Sequence, residues 1–148
     1  MFIGDGPLKA DLENLCKTLN IQNNVIFVGE VPFKEMPIYY HLASILASSS
    51  KSETQGLTVI EALASSKPVV CINDLSFQET VINNYNGFLF NDEKEFQKDI
   101  LLLTKNSKLY ESIKLNTLPS INKYSAYTFA SDVLKVYAKA INDIKNPS

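Results

Sequence analysis

The chain has 148 residues, 45% hydrophobic and 20% charged, so it is long enough to bury one core but too short for two full domains. Its formal net charge is −2, and its 14 basic residues are all lysines scattered along the chain. Because nucleic-acid binding needs a stripe of clustered basic residues, nucleic acid is not expected as a partner.

The cysteines and the hydropathy pattern indicate the cellular compartment of the protein. Cys16 and Cys71 lie far apart, and neither belongs to a Cys-x-x-Cys pair or has a histidine at metal-ligand spacing. Both are therefore expected to be reduced thiols in the core. No apolar run approaches the roughly 20 residues of a spanning helix, and nothing resembles a signal peptide. The sequence predicts a cytoplasmic protein.

The first half of the chain predicts three strands and three helices. Short apolar runs indicate strands at residues 2–4, 25–28 and 45–47. One helix is predicted to start near Pro7, and two further helices are predicted at 33–42 and 57–65. One face of the first helix would be apolar, and it would consist of Leu8, Leu12, Leu15, Cys16 and Leu19.

The second half continues the alternation and then becomes helical. Strands are predicted at 69–72 and 88–90, the latter after a turn at Asn86-Gly87. Helices are predicted at 75–82, 93–104, 107–116 and 127–144. The fold class is therefore α/β, with a Rossmann-like parallel sheet, flanking helices and additional C-terminal helices. The loops at 4–7, 29–32 and 48–56 all follow strands, so they are expected to converge on one ligand-binding edge.

The segment 52–64 carries the strongest functional signal. Gly56 opens a helix, where backbone can approach a ligand and the N–H groups of Leu57 and Thr58 present partial positive charge to a diphosphate. Glu61 follows in the second turn, and its carboxylate can accept hydrogen bonds from two adjacent hydroxyls, such as a ribose cis-diol. Glu53, on the preceding loop, would face whatever lies beyond the phosphates.

Ordinary structural roles compete with these interpretations. Glu61 could be a surface residue, but the helix is apolar nearly all round, as in a buried helix, and a buried charge needs a partner. Glu53 could be a solvated loop carboxylate. His41 is expected to be structural or exposed, and Tyr39 and Tyr40 are expected to belong to a core or an interface.

The spacing of Glu53 and Glu61 resembles the Glu-x7-Glu signature of retaining GT-B glycosyltransferases, in particular glycosyltransferase family 4. The resemblance covers most of the chain. It includes the segments 3–8, 25–32, 39–49 and 67–70 in the expected order. The wording Ser-Glu-Thr-Gln-Gly-Leu-Thr at 52–58 is similar to that of bacterial diacylglycerol glucosyltransferases.

This resemblance implies a role for each matching residue in binding a nucleotide-sugar donor without a metal or other cofactor. Gly4 and Gly6 would let the chain approach the donor, and backbone near Val31 and Pro32 would hold the base. Glu53 would contact the donor sugar and support an oxocarbenium-like transition state. The diphosphate would bind at Gly56, Leu57 and Thr58, and the ribose would bind at Glu61. The resemblance favours UDP-glucose as donor and diacylglycerol as acceptor, with the full enzyme peripheral to the inner membrane face.

The resemblance also implies what lies outside this sequence. Residues 1–125 would be a donor domain truncated at its N-terminus, and 126–146 a helix that crosses to a missing N-terminal acceptor domain or partner subunit. Without that domain the helix is expected to self-associate, and the isolated chain is expected to be inactive. Ser66 stands where the family usually has glycine, which predicts a changed helix cap. Two alternatives stay open, a non-catalytic nucleotide-sugar-binding subunit and a UDP-sugar epimerase of related architecture.

Overall fold

A computed structural model describes residues 1–51, 53 and 56–145 of the chain. Residues 52, 54 and 55 of the predicted motif, and residue 146 of the predicted C-terminal segment, lie outside the described residues. The chain divides into two compact units, the first comprising Met1–Tyr39 and the second beginning at Tyr40.

The first unit contains two short parallel strands and one helix. Strand β1 (Phe2–Ile3) pairs with β2 (Phe27–Gly29), and helix α1 (Lys9–Thr18) connects them. A 3₁₀ helix (Phe33–Glu35) follows, and α2 (Met36–Leu42) then runs into the second unit. The predicted apolar face of α1 is mostly exposed: Cys16 is buried, whereas Leu15 is 52% exposed. The strand expected at 25–28 begins two residues later, at Phe27.

The second unit is built on a three-stranded parallel sheet. Its strands β3 (Leu46–Ser48), β4 (Val69–Ile72) and β5 (Gly87–Phe90) lie in the order β3-β4-β5. Helix α3 (Leu57–Ala64) connects β3 to β4, and α4 (Leu75–Gln78) precedes β5. The remaining helices are α5 (Glu93–Lys105), α6 (Ser107–Ser120) and α7 (Ala126–Lys145), with a 3₁₀ helix (Asn122–Tyr124) before α7.

The core of this unit forms because β4 is covered on both faces. Val69, Val70 and Cys71 each have no exposed surface, as expected for a central parallel strand with side chains on both sides. One cluster joins the sheet to α5 and α6 through Val70, Phe88, Phe90, Leu103 and Ile113. Helix α3 packs on β4 and α6, so the core holds the helix that carries Glu61.

Three local expectations need correction. Helix α4 ends at Gln78, not at residue 82, because the buried Asn86 amide takes the N–H of Ile82 at 2.8 Å and the carbonyl of Thr80 at 2.8 Å. Helix α6 runs past residue 116 to Ser120 although Pro119 has no N–H to donate, and its last turn is held by the fully buried Thr117 and by the hydrogen bond of 2.9 Å that the Asn86 amide donates to the Ser120 hydroxyl. The cap after α3 is not altered, since Ser66 takes the left-handed conformation, with φ +58°, that glycine would adopt.

Helix α7 presents a long row of exposed apolar side chains. These side chains are Tyr127, Phe129, Leu134, Val136, Tyr137, Ile141 and Ile144. Their exposure agrees with the apolar stripe expected of this helix. What covers the stripe stays a prediction. Within the part of the chain that the structure describes, no helix is both long and apolar enough to cross a bilayer.

Candidate functional site

The first two backbone N–H groups of α3 have no acceptor among the described residues. Gly56 precedes the helix with φ +59°, a left-handed conformation that glycine adopts without strain. Among the described residues no side chain caps the helix, and the Gly56 carbonyl accepts the N–H groups of Val59 and Ile60 at 2.9 and 3.2 Å. The N–H groups of Leu57 and Thr58 have no acceptor within the helix and lie at the positive end of its dipole. This arrangement suits an anion.

Glu61 is held by a tyrosine from the preceding helix. Its Oε2 atom accepts a hydrogen bond of 2.8 Å from the hydroxyl of Tyr40, which is only 7% exposed. Burial, and then the bond to the Glu61 carboxylate, raises the pKa of Tyr40 far above its ordinary value, so the hydroxyl stays protonated and donates. The contact uses one carboxylate oxygen of the half-buried Glu61, and the second can accept hydrogen bonds from a ligand.

Glu53 is half-buried and lines a cavity of about 720 Å³ in the second unit. The cavity is lined by apolar side chains from α3, α4, the second 3₁₀ helix and α7, and by polar side chains that include three carboxylates. The apolar lining residues are Leu57, Ile60, Leu75, Tyr124 and Phe129, and the polar ones are Glu53, Asp74, Ser76, Glu79 and Thr80. Carboxylates and hydroxyls above apolar walls can bind a neutral, hydroxyl-rich molecule such as a sugar.

The rim after β4 is shaped by Asp74. Its side chain accepts the N–H of Ser76 at 3.0 Å and the hydroxyl of Ser76 at 2.8 Å, and so caps α4. These bonds, first the one from the backbone, hold the pKa of Asp74 below its usual value. Asp74 is therefore ionised at neutral pH.

Of the candidate residues in the first unit, Gly4 and Gly6 line a cavity of about 280 Å³, whereas Val31 and Pro32 do not. Gly4, with φ +113°, donates its N–H to the carbonyl of Gly29 at 2.7 Å, and the N–H of Gly6 donates to Asp5 at 2.7 Å. Asp5 also pairs with Lys9 at 3.1 Å, and this bond is the largest cause of its lowered pKa. The loop is thus fixed by its own contacts.

The base-binding turn expected at Val31 and Pro32 leads into the first 3₁₀ helix. The carbonyl of Pro32 accepts the N–H of Glu35 at 2.8 Å, so a base would share that carbonyl with the helix. Val31 is half-buried, and contact of a base with its backbone stays a prediction.

The structure groups the predicted residues in two sets. Glu53, Gly56, Leu57, Thr58 and Glu61 all belong to α3 or the loop before it. The set Gly4, Gly6, Val31 and Pro32 belongs to the first unit. Convergence of the two sets on one ligand, and the role of each residue, stay predictions.

Two further residues are now placed. Glu79 lines the same cavity as Glu53. His41 is exposed, and its carbonyl accepts a hydrogen bond from Lys67 at 3.0 Å. Among the described residues, no three histidine, cysteine, aspartate or glutamate side chains lie together as metal ligands. Metal independence stays a prediction.

Comparison with known proteins establishes the family. The model of the family described as Glycosyl transferases group 1 matches residues 1–118. The chain belongs to the glycosyl transferases group 1 family. It is therefore, by family, part of a glycosyltransferase, as its sequence motifs predict.

Relatives within this family include two proteins named alpha-monoglucosyldiacylglycerol synthase. The Acholeplasma laidlawii protein is 30% identical over 142 residues, which are 96% of this chain and 36% of that protein. The Streptococcus pneumoniae protein is 38% identical over 98 residues, which are 66% of this chain and 22% of that protein. The chain thus spans about a third or less of the length of these relatives.

Solved structures of other proteins share the fold of this chain. Anabaena HepE has been solved in complex with UDP and with UDP-glucose, and these structures give TM-scores of 0.83 and 0.80 at 20% identity. In each case 93% of this chain matches 40% of the HepE chain. The predicted α/β, GT-B type architecture is confirmed by this likeness, which at such identity bears on the fold alone.

Tyr40 is a residue of the candidate site that sequence reasoning missed. The sequence indicates that Glu61 needs a partner. The hydroxyl that donates a hydrogen bond to it belongs to Tyr40, which lies on a different helix, 21 residues earlier in the chain. The available signal was the adjacent pair Tyr39-Tyr40, which had been assigned to a core or an interface. Burial of Tyr40 confirms the core position, and the hydrogen bond adds a contact that no local pattern encodes.

Proposed function

We propose that this chain is the donor-binding portion of a retaining, metal-independent glycosyltransferase that transfers glucose from UDP-glucose to diacylglycerol. The observation that carries the proposal is the arrangement on α3: N–H groups in its first turn that have no acceptor among the described residues, and a half-buried carboxylate in its second turn. A nucleoside diphosphate has the matching order of groups, phosphates followed by a ribose diol.

The diphosphate is assigned to Gly56, Leu57 and Thr58. The left-handed Gly56 opens the helix, and the N–H groups of the next two residues are the donors that a phosphate oxygen accepts. The A. laidlawii and S. pneumoniae relatives, named as glucosyldiacylglycerol synthases, and the HepE complexes with UDP and UDP-glucose support this choice of donor.

Glu53 is assigned to the donor sugar. It lies three residues before Gly56 in the chain, on the wall of the cavity that Leu57 and Ile60 also line. A carboxylate there accepts hydrogen bonds from sugar hydroxyls and stabilises positive charge that develops at the anomeric carbon. Its role is orientation and electrostatic support. No covalent nucleophile is assigned.

Transfer also requires an acceptor region and exclusion of water from the cleft. The A. laidlawii relative has 64% of its length outside the match, since the match covers 36% of it. We expect such additional sequence to supply the acceptor site, and we expect the 148-residue chain by itself to bind donor without turnover. Formation of glucosyldiacylglycerol by the purified chain from radiolabelled UDP-glucose and diacylglycerol vesicles would contradict this expectation.

The donor assignment is tested by calorimetric titration with UDP. Wild-type chain and a Glu61→Ala variant are titrated in EDTA and again with magnesium. Binding that is independent of magnesium and at least about tenfold weaker in Glu61→Ala supports the proposal, because a charged hydrogen-bond acceptor is lost. A folded wild-type chain that does not bind UDP would overturn it. Glu93→Ala, on the surface of α5, is the matched control for removing a helix glutamate.

A further inference from the structure

The contact between Tyr40 and Glu61 joins two helices at the candidate ribose site. Tyr40 lies on α2 and Glu61 on α3, and the hydroxyl reaches the carboxylate at 2.8 Å. A second bond joins the same segments, since Lys67, just after the cap of α3, donates to the carbonyl of His41 at 3.0 Å. Tyr40 and His41, both in the second unit, are therefore each hydrogen-bonded to the segment 61–67.

The chemistry of the pair makes Tyr40 a constant donor. Its ring is almost fully buried and has only two side-chain torsions, so the hydroxyl occupies a defined position. Burial keeps the phenol protonated, and a protonated phenol facing a carboxylate can only donate to it. Hydrogen bonds to an ionised acceptor are stronger than neutral ones, so the carboxylate is restrained at one oxygen.

We propose that Tyr40 is a positioning residue that fixes Oε2 of Glu61 and thereby directs the second carboxylate oxygen to the 2′- and 3′-hydroxyls of a ribonucleoside diphosphate. This inference rests on the proposed function, in which Glu61 binds the donor ribose. A glutamate side chain on its own samples several rotamers, and ordering it on binding would weaken affinity. With Tyr40 in place, the acceptor is ordered before the ligand arrives.

The proposal makes the site selective for ribose over 2′-deoxyribose. A fixed acceptor left without its hydroxyl donor loses a charged hydrogen bond, and sites of this kind discriminate strongly against the analogue that lacks the group. We expect wild-type chain to bind UDP about tenfold to a hundredfold more tightly than 2′-deoxy-UDP. A purely structural Tyr40 would affect both ligands equally.

The test measures dissociation constants for UDP and 2′-deoxy-UDP by calorimetry in four chains: wild type, Tyr40→Phe, Glu61→Gln and the double variant. Tyr40→Phe is expected to weaken UDP binding about tenfold while changing 2′-deoxy-UDP binding little, so the selectivity ratio falls. The double variant should match Glu61→Gln, because Tyr40 acts through Glu61. Tyr110→Phe is the matched control, since the Tyr110 hydroxyl donates at 3.0 Å to the backbone carbonyl of Ser44 and not to Glu61.

Glu61→Asp provides a second route that leaves Tyr40 intact. The shorter side chain keeps the charge but withdraws the carboxylate from both Tyr40 and the ligand, so the UDP preference should fall here too. Each variant is first checked by thermal melting and titrated well below its own midpoint, which separates loss of fold from loss of binding.

The outcomes distinguish this inference from the proposed function. If Glu61→Gln weakens UDP binding but Tyr40→Phe keeps the wild-type selectivity ratio, Tyr40 is not a positioning residue and the proposed function stands. Retention of the full ratio in Glu61→Asp would likewise overturn the inference. If wild type binds no UDP, or Glu61→Gln binds it unchanged, both the inference and the ribose assignment fall.

Discussion

Gly56 lies directly against the ring of Phe77, which is fully buried under the first turn of α3. A Cβ on Gly56 would lie 3.0 Å from both Cδ1 and Cε1 of that ring. Gly56 also has φ +59°, so two separate constraints require glycine at the position assigned to the diphosphate.

Gly56→Ala should therefore weaken both the fold and UDP binding. The left-handed conformation costs an alanine about 1–2 kcal/mol, and displacement of Phe77 adds to that cost. We expect a clear fall in urea midpoint and a loss of UDP affinity of about tenfold or more, since the donors of the helix terminus shift.

Gly29→Ala is the control that separates the two constraints. Gly29 is also left-handed, with φ +82°, but its Cβ would meet only the flexible end of Lys9 at 3.9 Å. It should show the conformational cost without the steric one. Equal losses of stability in the two variants would show that contact with Phe77 is unimportant.

Ser66→Gly should stabilise the chain. Ser66 is left-handed, its N–H donates to Leu63 at 3.0 Å, and the N–H of Lys67 donates to Ala62 at 3.0 Å, so the helix ends in a closed cap. Glycine removes the strain of the left-handed serine, and we expect a gain of about 1 kcal/mol in the free energy of unfolding by urea titration.

The neighbouring Ser65 provides a matched comparison for this substitution. Its φ is −85°, a conformation open to every residue type, so Ser65→Gly adds freedom to the unfolded chain without relieving strain. It should be neutral or destabilising by about 0.5 kcal/mol. If both substitutions raise the free energy of unfolding equally, relief of the left-handed backbone strain at Ser66 is not the cause.

Gly87→Ala should be among the most damaging single substitutions in the sheet. Gly87 opposes Val69 in the parallel pairing of β4 and β5, and a Cβ on Gly87 would lie 2.6 Å from Cγ2 of Val69 and closer still to its carbonyl oxygen. The strands would have to separate, at a cost of about 3 kcal/mol or more. Gly6→Ala, where no atom lies within 4 Å of the added Cβ, should unfold at nearly the wild-type urea concentration.

The sequence predicts an element correctly where the local pattern of residues determines its structure. The strand β4 was predicted at its exact bounds because a continuous apolar run directly follows Pro68. The start of α3 was predicted because Gly56 precedes a long apolar run. The glycosyltransferase family was likewise evident from the spacing of Glu53 and Glu61, and the match to residues 1–118 confirms it.

Contacts between residues far apart in the sequence explain the features that the local pattern does not predict. The pattern at 75–82 reads as one helix, but the Asn86 side chain takes backbone groups that the last turn would have used, and it also donates to Ser120 at 2.9 Å. The apolar composition of α3 predicts burial all round, yet Leu57 is 57% exposed and lines the cavity beside Glu53. Leu57 is therefore exposed to the candidate ligand cavity instead of being packed in the core.

The buried thiol of Cys71 gives a test at alkaline pH. Cys71 has no exposed surface, and burial raises its pKa to about 12. In a Cys16→Ser variant, Cys71 is the sole thiol. Iodoacetamide reacts with the thiolate, whereas the buried Cys71 is held as the protonated thiol. Alkylation by iodoacetamide should therefore be no faster than unfolding of the chain. Alkylation at the rate of a free thiol under native conditions would contradict the buried position.

The same shift predicts how stability depends on pH. The folded-state pKa of Cys71 lies above the unfolded value of about 8.5, so its contribution to stability is complete below about pH 8.5 and declines as pH rises toward the folded value, by up to about 1.4 kcal/mol per pH unit. Urea titrations from about pH 7 to about pH 10 should show this decline for Cys16→Ser. The same titrations are made with the double variant Cys16→Ser/Cys71→Ala, and the difference between the two chains removes the pH dependence that they share. A difference in the free energy of unfolding that stays constant with pH would show that the Cys71 thiol is not held protonated by the fold.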